Sequence, residues 1–179
     1  MSNLVISASF RKRIQSIYPP RNRRSILHAL HPRYYTMPAT NEDSSCLFCK
    51  ILNGSIPCHK VYETEHSFAF LDIMPTSEGH TQVIPKYHAE TIANLPDEYL
   101  ADIGPVVKKV ALATGAEAYN IVQNNGKLAF QHVPHVHFHV IPKPNETEGL
   151  VLTLGQNWPQ KKVDNDVLGT TCAKMKQRL

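Results

Sequence analysis

The run His135-Val136-His137-Phe138-His139 constrains this chain more than any other stretch, because it sets three imidazoles at alternate positions among apolar residues. In an extended backbone, residues i, i+2 and i+4 project to one face, so the three rings should line one side of a strand. Val136, Phe138 and Val140 then fill the opposite face, as the inside of a half-buried sheet requires. Imidazole gains and loses a proton near physiological pH, so such a row points to proton transfer, nucleophilic attack or metal binding.

The rest of the composition suits one domain. A chain of 179 residues with 42% apolar residues can bury a sizeable core. No run approaches the roughly 18 consecutive apolar residues that a membrane span needs. The net charge of +4 is unevenly placed. Residues 1–40 hold Arg11, Lys12, Arg13, Arg21, Arg23, Arg24 and Arg33 and no acid, which leaves 12 Lys and Arg against 15 acids in residues 41–179. The folded part is therefore mildly acidic and offers no basic face to track a nucleic-acid backbone.

The leader is Arg-rich, Ser-rich and free of acids, with Phe10, Ile14 and Ile17 on one helical face. That profile predicts a mitochondrial transit peptide, and Arg33-Tyr34-Tyr35-Thr36 resembles the sites at which matrix peptidases cut. A disordered basic arm and a start near Met37, which implies cytoplasm and nucleus, are the alternatives. Three regions follow: a leader over 1–43, a domain over 44–145 and a C-terminal extension over 146–179.

Within the domain, Ser44 or Ser45 is expected to cap a short helix through Leu47, Phe48, Ile51 and Leu52, ended by Gly54. Lys60 to Tyr62, Ser67 to Asp72, Thr81 to Ile84, Tyr119 to Gln123 and His135 to Ile141 read as strands. Asp97 to Thr114 reads as the main helix, with Ala101, Ile103, Val107 and Val110 to Ala113 available for burial and a kink or break at Pro105. Strands on both sides of one main helix predict an α+β fold with a five-stranded, largely antiparallel sheet. An amphipathic tail is expected around Val167 to Leu179.

Of the four cysteines, Cys46 and Cys49 have the Cys-x-x-Cys spacing of a metal knuckle, in which two thiolates on one turn share an ion. The same spacing also fits two buried thiols or a redox pair, although no thioredoxin-like Trp or Pro flanks it.

Beyond the triad, Cys46-Leu-Phe-Cys-Lys-Ile, Phe70-Leu-Asp-Ile-Met-Pro75, Gly79-His80, Val83-Ile-Pro-Lys-Tyr-His88 and Asn124-Asn-Gly126 fall in one order and spacing over roughly residues 44–145. Together they resemble the histidine triad (HIT) superfamily of nucleotide hydrolases and transferases, and within it the Hint branch, particularly the fungal adenosine 5′-monophosphoramidases.

The resemblance implies a chemistry. His137 would attack the α-phosphorus of a nucleoside phosphoramidate or anhydride, and must be neutral to do so; flanking imidazoles would disfavour a positive charge on it. His139 would sit beside the phosphate oxygens, and His135 would orient the nucleophile or hold metal. His80 matches the family's fourth histidine and would support the triad strand. Phe48, Ile51, Ile56, Phe70, Leu71 and Ile73 match positions around a purine base, and Asp72 matches the carboxylate that accepts ribose hydroxyls. Asn124 and Gln131 match polar residues near the phosphate, with His132 and Val133 in the same substrate-lining set. A structural Zn²⁺ on Cys46, Cys49, His88 and His135 is implied, with His80 in reserve, and no organic cofactor. Hint-type chains pair through the main helix and an edge strand, here Asp97 to Thr114 and Tyr119 to Gln123, so a homodimer is expected.

One departure stands out. The family usually has Gly-Gln-Ser or Gly-Gln-Thr before the triad, where this chain has Phe130-Gln131-His132. A hydroxyl that elsewhere donates toward the leaving group is missing; His132 could replace it, or leaving-group protonation could be weaker. Three functions remain open: a phosphoramidase acting on AMP–amine or AMP–lysine bonds, a dinucleoside polyphosphate hydrolase, and a non-catalytic nucleotide-binding protein.

Overall fold

The structure, a computed structural model, describes residues 41–179, so the transit-peptide reading of the leader lies outside the described residues. Five strands, β1 (Lys60–Glu63), β2 (Ser67–Leu71), β3 (Thr81–Pro85), β4 (Tyr119–Gln123) and β5 (Phe138–Pro142), form one sheet in the order β1-β2-β3-β5-β4. Every neighbouring pair is antiparallel. Three α-helices accompany them among the described residues: α1 (Leu47–Leu52), α2 (Asp97–Ala113) and α3 (Asn165–Lys176). The expected α+β architecture is present.

Strand alternation divides the core in two. Ala69 in β2, Val83 in β3 and Val140 in β5 face α2, where they meet Tyr99, Ile103, Val106, Val110 and Ala111. Their strand neighbours Phe68, Phe70 and Ile84 face the other way and pack with Phe48, Cys46 and Cys49 around α1. A fully buried residue such as Ile84 contributes roughly 1.5–3 kcal/mol by leaving water, so both layers hold the sheet between them.

The helix differs from expectation in two ways. Its buried face is Tyr99, Ile103, Val106, Val110 and Ala111, while Ala101, Leu112 and Ala113 are exposed. The predicted break at Pro105 does not occur: α2 runs unbroken past it. Pro105 lies on the exposed side, so the helix loses one backbone bond there but keeps its whole apolar face packed. The serine cap of α1 is also corrected. Cys46 occupies the cap position without a side-chain bond, and Ser45 instead donates its hydroxyl to Asp43 at 2.6 Å.

The triad itself starts before its strand. β5 begins at Phe138, so His135 and His137 belong to the extended segment leading into it and only His139 lies in the ladder. The alternation survives because Val136 is fully buried beneath α2, and its N–H donates to the Ala89 carbonyl at 2.8 Å.

Candidate active site

The three triad rings share the α1 side of the sheet. Phe48 meets His135 and His137 edge-on, at 5.8 and 5.3 Å between centroids, and His137 stands 5.0 Å from His139. Backbone partners fix the tautomers. The carbonyl of His135 lies 2.7 Å from His137 Nδ1, and a carbonyl only accepts, so Nδ1 carries the proton and Nε2 keeps its lone pair. No protein group among the described residues bonds that Nε2, and it is not sealed from solvent.

A second chain of bonds defines His139. The Thr76 N–H donates to His80 Nδ1 at 3.3 Å, so the His80 proton sits on Nε2. From there it donates to His139 Nδ1 at 2.9 Å, which leaves His139 with its own proton on Nε2. His137 thus presents a lone pair and its neighbour presents an N–H. Gly79 turns the chain at φ 80° directly before His80, which leads into β3.

Burial is the largest influence on these rings. It pushes His139 down to about 4, with the charges of His137 and His80 adding to the effect. Burial also lowers His137 and His80 below the ordinary imidazole range. The triad is therefore neutral at physiological pH, chiefly by desolvation and only secondarily through its neighbours. Asp72 behaves differently. Burial alone would raise it, but the Met74 N–H and the Gln82 amide, each at 2.8 Å, together with nearby His80, hold the carboxyl below its usual range. A neutral imidazole with a bare lone pair, an N–H donor and a carboxylate are thereby gathered into one site.

The predicted pocket residues are partly assembled. Phe48 and Phe70 belong to one apolar cluster, with Ile51 and Val133 packed against it. Ile56 is half-buried, whereas Ile73 is 86% exposed at the end of β2 and contributes nothing to the core. Leu71 is corrected: it follows Phe70 in β2, so alternation turns it to the opposite face. Gln131, expected near the phosphate, has both ends of its amide engaged: the oxygen accepts from the Gly126 N–H at 2.6 Å and the nitrogen donates to the Glu90 carbonyl at 2.7 Å. It shapes the loop. Asn124 is half-buried on that loop and His132 is exposed on it. Sequence reasoning missed Asn125, whose side chain accepts from the Ile92 N–H at 2.8 Å and ties the loop across. It also missed Gln82, which stands opposite His139 in the ladder and orients Asp72. Asn125 lies inside the Asn124-Asn-Gly126 motif and Gln82 between two motifs, and neither bears a further sequence signal.

Cys46, Cys49, His88 and His135 converge as a group able to hold a metal ion, their ligand atoms all within 4.8 Å of one another. Cys46 Sγ lies 3.5 Å from His135 Nδ1, and Cys49 Sγ lies 3.5 Å from His88 Nδ1 and 3.8 Å from His135 Nδ1. The Pro85 carbonyl, 3.0 Å from His135 Nε2, accepts a hydrogen bond from that nitrogen, so the ring's proton sits on Nε2 and Nδ1 is bare toward the thiols. Asn41 and Asp43, assigned to the leader by sequence, flank this cluster. Asn41 donates to the His88 carbonyl at 2.8 Å, and an Asp43 carboxylate oxygen lies 3.9 Å from His88 Nε2. His80, the reserve ligand, is turned to His139 instead.

This fold is shared with known proteins. Residues 53–146 match the HIT domain. An adenosine 5′-monophosphoramidase of Schizosaccharomyces pombe is 60% identical over 115 residues, spanning 64% of this chain and 84% of the relative. Its Saccharomyces cerevisiae counterpart is 50% identical over 132 residues, 74% of this chain and 80% of the relative. The crystal structure of a histidine triad nucleotide-binding protein from Candida albicans superposes with a TM-score of 0.69 at 45% identity, covering 74% of this chain and 96% of that one. The chain belongs to the HIT family.

Proposed function

We propose that this chain is an adenosine 5′-monophosphoramidase, a hydrolase that cleaves the P–N bond of adenosine 5′-phosphoramidates, AMP joined to an amine or a lysine, through a covalent AMP–histidine intermediate. The observation that carries this reading is His137: its Nδ1 proton is held by the His135 carbonyl, its Nε2 lone pair is free, and burial keeps it neutral. The names of the fungal relatives support an amine rather than a nucleotide as leaving group.

In this mechanism His137 Nε2 attacks the α-phosphorus, the P–N bond breaks and AMP remains on the ring. Water then attacks the same phosphorus and releases His137. The His139 N–H donates to a phosphate oxygen, where it stabilises charge without reorganising during the reaction. Asp72, held ionised, accepts the ribose hydroxyls, while Phe48, Phe70, Ile51, Ile56 and Ile73 bound the base. Steady-state turnover of adenosine phosphoramidate beside a dinucleoside triphosphate tests the assignment. The phosphoramidate should be the faster substrate; preference for the dinucleotide would make the chain a polyphosphate hydrolase, and turnover of neither would make it a nucleotide-binding protein.

The metal cluster, in this reading, holds structural zinc. In a tetrahedral zinc site, neighbouring sulfur and nitrogen ligands stand about 3.5 Å apart, which the spacings of 3.5 to 3.8 Å fit. Two thiols and two imidazoles would close the shell, so the ion would tie α1 to the triad segment and take no part in hydrolysis.

A homodimer through α2 and β4 completes the reading. β4 is an edge of the sheet, with Tyr119 and Ile121 exposed on it and Leu112 exposed on α2. Pairing two such edges would cover backbone groups that otherwise invite aggregation. A monomer mass by light scattering at micromolar concentration would refute it. We also assign the chain to mitochondria on the composition of its leader; a leader–reporter fusion that stays cytosolic would overturn that.

A further inference from the structure

The triad is divided between two groups of metal-ligating side chains. His135 belongs with Cys46, Cys49 and His88, whereas His139 joins Asp72 and His80 in a second group, whose ligand atoms also lie within 4.8 Å of one another. His137 belongs to neither. In the second group His80 Nε2 lies 2.9 Å from His139 Nδ1 and 3.6 Å from Asp72 Oδ2. Nitrogen and oxygen ligands about 2.0–2.2 Å from one ion stand roughly 3–3.5 Å apart. The two observed spacings bracket that range.

The donors are held in place by the fold. The Met74 N–H fixes Asp72 Oδ1 and the Gln82 amide fixes Oδ2, each at 2.8 Å. One proton, on His80 Nε2, lies between the two rings, and it points at the bare nitrogen of His139. Gln82 Oε1, on the same amide that orients Asp72, is buried without a hydrogen-bond partner among the described residues. A carboxylate and two imidazole nitrogens that hold a single proton thus stand beside an acceptor that lacks a donor. We propose that Asp72, His80 and His139 form a second metal site, which takes a zinc-class divalent ion in competition with the nucleotide.

Two nitrogens and one oxygen suit zinc, cobalt or manganese, and not the all-oxygen shells of magnesium and calcium. The ion takes the place of the shared proton. His80 keeps a proton by moving it to Nδ1, and the Thr76 N–H, whose 3.3 Å bond is the longest of the set, turns to solvent from its exposed position. Three protein ligands leave the shell open to water, and such a water is a donor of the kind Gln82 Oε1 lacks. Without a thiolate the site binds more weakly than the cysteine cluster, so its ion exchanges while the other stays. Once bound, the ion engages Asp72 Oδ2 while Met74 keeps Oδ1, and the ribose hydroxyls lose their acceptor. This competition rests on the nucleotide reading of Asp72; the metal site does not.

Zinc titration of the full chain, followed by native mass spectrometry and calorimetry, tests the site without any turnover. Added zinc should fill one position per chain beyond the cysteine cluster. Asp72→Asn, which keeps the side chain's shape and removes its charge, and His139→Gln should each lose that ion while the ion on the cysteine cluster remains. Gln82→Leu, which frees Asp72 to swing, should weaken it by about 10–100-fold. AMP and the second ion should weaken each other by the same factor, as linkage requires. No second ion in the wild type, or one that persists in both Asp72→Asn and His139→Gln, would overturn the proposal. A second ion lost in both variants but indifferent to AMP would overturn the competition and the nucleotide role of Asp72, leaving the metal site standing.

Discussion

His80 Nε2 stands 2.9 Å from His139 Nδ1, and the Thr76 N–H, 3.3 Å from the other His80 nitrogen, decides which of the two rings carries the shared proton. One backbone amide therefore sets the tautomer of a ring two bonds away, at the point where phosphate charge would have to be met.

His80→Ala removes this setting without touching His137. His139 can then present either tautomer, and its ring loses the hydrogen bond from His80. We expect kcat to fall by about 10²-fold, the scale of losing one oriented donor, with KM changed little. His80→Gln, which keeps an amide N–H for His139, should fall less. Steady-state kinetics of the two variants checks this, and an unchanged kcat in His80→Ala would remove His80 from the mechanism.

His137→Ala should lose at least about 10⁴-fold in kcat, as expected when a nucleophile is deleted. Nucleotide affinity should persist, because Asp72 and the Phe48–Phe70 cluster remain. Calorimetric titration with AMP beside the turnover assay separates the two effects. Substantial phosphoramidase activity in the purified variant would reassign the nucleophile.

Metal occupancy has a readout that does not depend on catalysis. Native mass spectrometry of freshly purified protein should show one zinc per chain, and chelation should lower the melting temperature. Burial raises the Cys49 thiol, so metal binding must displace a proton there and should weaken as the pH falls. A metal-free protein whose melting is indifferent to added zinc would leave Cys46 and Cys49 as ordinary core thiols.

Acid should destabilise the fold before the carboxylates titrate. His139 lies at about 4 and His80 is also lowered, both by burial, so the unfolded chain binds protons that the folded chain refuses. Stability from these rings is complete above about 6.5, the ordinary imidazole value, and is lost as the pH falls toward 4. Urea midpoints at pH 7 and pH 5 should differ in that direction, and His139→Gln should narrow the difference. A midpoint independent of pH over this range would show that the rings are not buried neutral.

Alternation in the sequence determined the faces of the sheet and the gathering of the triad, because a period of two is a local property that any strand must obey. The five strands were legible for the same reason, and the main helix and the Cys-x-x-Cys turn through spacings of three and four residues, which are equally local. Tertiary structure decided what depends on neighbours distant in the chain. Pro105 does not break α2, because packing of the opposite helix face outweighs one missing bond. His88, and not His80, joins the cysteines, since β3 carries His80 toward His139 while the chain beyond its end returns His88 to α1. Gln131 turns inward to hold the loop, and Leu71 turns away from the pocket, although both fall in motifs that suggested substrate contact. Proton placement lay furthest from view. It depends on carbonyls and amides at His135, Pro85 and Thr76, which every residue possesses and which only folding brings beside the rings.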